Sequence, residues 1–200
     1  MRLLGLDKNC FSSWCAKLPG GTTMVVQPKI QGCAIGLRYK YGQLVEAYSR
    51  DNPEIIEIIR TINTIPLSID DSLKVEVELE GVLYTPIFSS KFSKEQFVSC
   101  SSKSINNNSP FAFLAFHIFS SNSDELSDLT QLQEWGFEVP ITLRTDDPRQ
   151  VKIWHSQWIN NELFSNLPTN GIVAKCNSYS TKDFLGVSSS SPNWALALTR

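Results

Sequence analysis

Three runs rich in Val, Ile, Tyr and Leu, at residues 22–27, 33–39 and 43–49, are separated by Gly or Pro. Such runs predict strands, and their spacing predicts an antiparallel meander. From Pro53 to Arg60 the period changes: Ile55, Ile58, Ile59 and Ile62 share one helical face. Two more strands are predicted at Leu73 to Leu79 and Val82 to Ile87, then a polar, asparagine-rich loop from Ser99 to Ser109. Beyond a strand at Phe111 to Phe119, a helix near Asp124 to Glu134 turns Leu126, Leu129 and Leu132 inward and ends on Gly136. Asp147-Pro148 reads as an N-cap with proline at the first helical position, opening a helix with Val151, Trp154 and Trp158 on its inner face. Strands at Ile172 to Cys176 and Trp194 to Leu198 complete an α+β pattern, and Trp135, Trp154 and Trp158 are expected in the core.

Composition fits one soluble domain: 200 residues, 42% hydrophobic, 19% charged. The apolar start breaks at Asp7, too soon for a signal peptide, and no run reaches membrane-spanning length. The expected setting is the cytoplasm, with reduced thiols and no membrane association. Five cysteines without Cys-x-x-Cys spacing, and histidines only at 117 and 155, argue against a zinc site. Cys33 and Cys176 are expected to pack as small hydrophobes.

A net charge of −2 argues against strong duplex DNA binding by this chain alone. The charge is uneven. Residues 1–42 hold Arg2, Lys8, Lys17, Lys29, Arg38 and Lys40 against Asp7 alone, and the stretch from Glu46 to Glu80 is acidic. The basic stretch is read either as a docking face for a protein partner or as an unevenly charged solvated surface.

Chemistry centres on Lys29, in Val26-Gln27-Pro28-Lys29-Ile30-Gln31-Gly32. Around it, in order, stand Gly5-Leu6-Asp7, Ala34 to Tyr39, Tyr41 to Val45, Ser49-Arg50-Asp51, Ile59-Arg60-Thr61-Ile62-Asn63-Thr64-Ile65-Pro66-Leu67, Trp135 to Val139, Asn170 to Lys175 and Trp194 to Leu198. Through these segments the chain resembles the adenylation domain of NAD-dependent DNA ligases, almost end to end. The resemblance implies a nucleotidyltransferase fold, antiparallel sheets flanked by helices, with a cleft uniting Lys29, Arg50 and Lys175. It also implies that residues 1–200 form one adenylation domain without the nicotinamide-binding, oligonucleotide-binding, zinc-finger and helix-hairpin-helix modules of full-length ligases.

The resemblance assigns roles residue by residue. Lys29 matches the nucleophile that takes AMP as a phosphoramidate; Arg50 and Lys175 match cations that contact the nucleotide. Four positions depart: Gln31 replaces the aspartate of Lys-x-Asp-Gly, Val82 replaces a glutamate, Asn170 replaces the aspartate of Asp-Gly-Val-Val, and Thr199 replaces the last lysine of Trp-Ala-x-Ala-x-Lys. The family's Asn-Pro-Arg segment has no counterpart between Lys91 and Asn108.

With acids lost and cations kept, the pocket is expected to attract anions and not to hold a metal ion. The resulting expectation is a catalytically impaired ligase-like domain retained for binding a nucleotide or phosphorylated ligand (AMP, ATP or NAD, non-covalently) or for protein interaction. The alternatives are a self-adenylating enzyme working with partner chains, and a structural domain with an empty pocket. A purely structural account has Lys29 at an exposed strand end, Arg50 paired with Asp51 or Glu54, and Lys175 snorkelling from an edge strand.

Overall fold

Hydrogen bonding sorts the strands into two four-stranded antiparallel sheets. The computed structural model describes residues 5–6, 10–49, 55–70, 75–86, 110–119, 121–188 and 191–200. Its strands are β1 (Met24–Ile30), β2 (Cys33–Lys40), β3 (Gln43–Ser49), β4 (Glu76–Tyr84), β5 (Ala112–Ile118), β6 (Leu143–Thr145), β7 (Thr169–Cys176) and β8 (Ala195–Leu198). Its helices are α1 (Phe11–Cys15), α2 (Ile56–Ile59), α3 (Glu125–Glu134), α4 (Pro148–Ile159) and α5 (Tyr179–Leu185). Two compact units result. One comprises Gln31–Ser121 and Asp128–Val139; the other holds residues 5–30, Asn122–Ser127 and Pro140–Arg200.

In the first unit the sheet order is β3-β2-β4-β5. Strand alternation sends Ile35, Leu37, Tyr39, Leu79 and Leu83 to one face, where all are fully buried, as are Phe113, Ile59, Ile62 and Leu132. The β2–β3 hairpin closes on Tyr41 and Gly42, both with positive φ (48° and 76°), which suits a tight turn. A side chain at Gly42 would also meet the Ile69 carbonyl oxygen at 2.6 Å. The opposite face carries ions. Arg38 bonds Glu78 and Glu46 at 2.5 Å each and Glu76 at 3.1 Å, so the basic N-terminal stretch and the acidic one that follows offset each other here. This weakens the docking-face reading, since Arg38 is committed within its own sheet.

The second unit's sheet has the order β6-β1-β7-β8. Met24, Val26, Ile172, Ala174, Cys176 and Leu196 form one core with Phe11, Trp14, Val151, Trp158 and Phe164. The α4 cap is as predicted: Asp147 accepts the Arg149 N–H, with Pro148 opening the helix. Trp158 is buried and donates to the Thr169 hydroxyl at 2.8 Å, and Trp154 packs on the same core. Cys176 is buried and behaves as a small hydrophobe.

Three expectations are corrected. The first three strands are not a meander: β1 pairs with β6 and β7, while only β2 and β3 pair with each other. Spacing along the chain cannot reveal a partner about 140 residues away. The break expected near Glu80-Gly81 is absent, because Gly81 lies inside a continuous β4 where the Phe113 ring occupies the space of a side chain. Finally, α2 is shorter than predicted within the described residues, although Ile55, Ile59 and Ile62 are all buried. The predicted loop at 99–109, the whole 91–108 stretch compared with the family segment, and Arg50 lie outside the described residues. No helix among the described residues is long and apolar enough to cross a membrane.

Candidate functional site

Alternation along β1 and β7 gives the second unit's sheet a face opposite its core that carries Gln27, Lys29 and Lys175 among small and apolar residues. Val25 pairs with Lys175, and Lys175 with Ala195; next along, Gln27 pairs with Val173, and Val173 with Ala197. Gln27 is buried and donates to the Thr142 hydroxyl at 3.0 Å. Lys29 continues the β1 series, beside a register shift between Pro28 and Ile30. Pro28 has no N–H to give the ladder, which is the usual reason for irregularity at such a position. The Lys29 ammonium donates to the Asn170 side-chain oxygen at 2.6 Å. Two residues from separate motifs thus meet, and this acceptor is a neutral amide.

Lys175 is not on an edge strand, as a snorkelling lysine would require: β7 lies inside the sheet, between β1 and β8. The side chain is buried and donates to Glu125 Oε1 at 2.5 Å. Glu125 is only 1% exposed and accepts a second ammonium, that of Lys182, on Oε2 at 3.1 Å. Lys182 in turn lies 5.4 Å from the centre of the Trp194 ring. The expectation of a pocket with cations alone is therefore corrected. A carboxylate accompanies Lys175, and sequence reading missed it because Glu125 belongs to no recognised motif.

Among the departures, Asn170 is exposed and is placed against Lys29. Thr199 follows β8, its carbonyl oxygen accepting from His155 Nε2 at 3.2 Å. Gln31 and Val82 belong to the first unit, where Gln31 is exposed and Val82 pairs with Ala34 on the ionic face of the sheet. Arg50 lies outside the described residues. Chemically, the second unit offers an amine at Lys29 held by an amide and an ammonium at Lys175 held by a carboxylate.

Two antiparallel sheets, with these lysines on adjacent strands of one, place the chain in the nucleotidyltransferase fold of polynucleotide ligases. An archaeal ATP-dependent RNA ligase superimposes with a TM-score of 0.65 at 11% identity, over 98% of this chain and 48% of that one. A mycobacterial DNA ligase D complexed with ATP superimposes with 0.53 at 12% identity, over 89% and 55%. The NAD-dependent DNA ligase adenylation domain matches residues 12–112, half of the chain, and the chain belongs to that family. A DNA ligase of Mycoplasma capricolum is 28% identical over 86% of this chain and 30% of its own length. The chain spans about a third of the length of the curated ligases it matches.

Proposed function

We propose that residues 1–200 act as one ligase-type adenylation domain that recognises an adenine nucleotide or other phosphate-bearing ligand but is impaired in transferring AMP to Lys29. The observation that carries this reading is the pairing of Lys29 with Asn170 at 2.6 Å. An attacking lysine must be a neutral, directed amine. Asn170 can hold it, but an amide has no carboxylate charge. Gln31 and Val82 likewise supply no acid where the family has one. Phosphoryl transfer depends on positioning and on neutralising charge with cations and metal, so these losses weigh more on reaction than on binding.

The second reading, self-adenylation, is favoured by the retention of Lys29 itself. Intact mass after incubation with NAD or ATP and Mg²⁺ separates the two. The expected outcome is no mass change; a gain of one AMP that Lys29→Ala abolishes would establish the second reading. Calorimetry with AMP is expected to show weak binding that needs no metal and falls as salt rises. Loss of one charge-assisted contact in Lys29→Ala or Lys175→Ala should weaken it by about tenfold or more. No heat at millimolar AMP, or equal affinity in all variants, would remove nucleotide recognition from the account.

A further inference from the structure

We infer that Arg144 is a further binding residue on the face of the second unit's sheet that carries Lys29 and Lys175, and that it selects a ligand with two or more phosphates in a chain over one with a single phosphate. The inference rests on the phosphate-bearing ligand proposed above.

The register places the residue. Val25 pairs with Arg144 of β6 on one side and with Lys175 of β7 on the other, so the two cations stand in one row across the sheet. The next pair along, Val26 and Leu143, packs in the core, so Val25 and Arg144 lie on the opposite face. Thr142, two residues before Arg144, accepts the Gln27 side-chain N–H at 3.0 Å and so belongs to the same face. Strand β6 is the outer strand of this sheet, and Arg144 is exposed on it. Among the described residues it makes no hydrogen bond or ion pair. Of the two acids that follow, Asp146 lies beyond the end of the strand and Asp147 is held by Arg149.

These surroundings set Arg144 apart from Lys175, which is buried and donates to Glu125. A guanidinium is a planar fork of N–H donors that can meet two oxygens of one phosphate, and here the fork is open to solvent. Backbones two strands apart are separated by roughly 10 Å. A single phosphate beside Lys175 would leave Arg144 unmet, whereas a chain of phosphates extends past Val25 toward it. The competing account is that Arg144 only keeps an outer strand from pairing with other chains, as charges on sheet edges do. On that account its removal leaves ligand affinity unchanged.

The test is calorimetry at low salt, without metal ions, using inorganic phosphate, inorganic tripolyphosphate, AMP and ATP. In wild type, tripolyphosphate should bind about tenfold more tightly than phosphate, and ATP about tenfold more tightly than AMP. Arg144→Gln should remove most of that margin while leaving the affinities for phosphate and AMP, and thermal unfolding, unchanged. Arg144→Lys should restore part of it, because the charge returns without the fork. Lys17→Gln is the control: Lys17 is exposed just after α1, which packs on the core face of the sheet, so its loss should leave the margin intact. Failure of tripolyphosphate to bind, a margin that survives in Arg144→Gln, or an equal loss in Lys17→Gln would overturn the inference. The nucleotide reading is judged separately. An Arg144-dependent margin with AMP no tighter than phosphate would sink that reading alone, and AMP binding without such a margin would sink this inference alone.

Discussion

At Cys10 the thiol is exposed, and backbone hydrogen bonds from Ser12 and Ser13 hold its pKa below the usual value. Cys176 is its opposite: fully buried in the second unit's core, with its pKa pushed up to about 12 by burial. The thiolate is the reactive form, so a lowered pKa means alkylation at lower pH and a raised one means a neutral, inert thiol. Iodoacetamide followed by peptide mass mapping should therefore find Cys10 modified in the folded protein, and Cys176 only after unfolding. Equal rates at the two sites in the folded protein would contradict the placement of Cys176. At this scale the sequence was a good guide wherever a motif existed. Lys29 and Asn170 come from different motifs and meet as neighbours. Glu125, 50 residues from Lys175 and in no motif, could not be found this way.

Elements show the same division between local and distant causes. The start of α4 was legible because its cap is made by adjacent residues, Asp147, Pro148 and Arg149. The pairing of β1 was not, since nothing near Met24 records that its neighbours will be β6 and β7. Strand β4 was misread for a third reason: glycine usually marks a turn, but Gly81 is there to admit an aromatic ring. A Cβ at Gly81 would stand 2.2 Å from Phe113 Cζ and 2.5 Å from the Leu114 carbonyl oxygen. Gly81→Ala should thus destabilise the fold by about 1 to 3 kcal/mol, as overpacking does, measured by denaturant unfolding. Adding Phe113→Leu should restore only part, because the Leu114 carbonyl remains in place. A Gly81→Ala variant as stable as wild type would mean that β4 and β5 are not so closely packed.

Over the whole molecule, the chain passes between its two units after Ile30, Ser121, Ser127 and Val139. A fragment ending at Val139 would retain all four strands of the first unit's sheet but remove β6, β7 and β8. Amide exchange on that fragment should show protection in β2 to β5 and none in β1, whose two hydrogen-bonded neighbours are gone. Protection of β1 equal to that in the full chain would show that it finds support elsewhere.

The same topology sets an order of events during synthesis. Ribosomes add about 5 to 20 residues per second. Once β1 has emerged, its long antiparallel partner β7 lies more than a hundred residues behind, which is roughly 7 to 30 s of elongation at that rate. Until β6 is made both edges of β1 are open, and until β7 is made the Met24 and Val26 side chains lack part of their native cover, while the strands of the other sheet are made and can pair. Unpaired edges of this kind invite association with other chains. The nascent protein is thus most open to chaperone capture or aggregation through the segment that carries its family's nucleophile position, and slower elongation between β5 and β7 would lengthen that exposure.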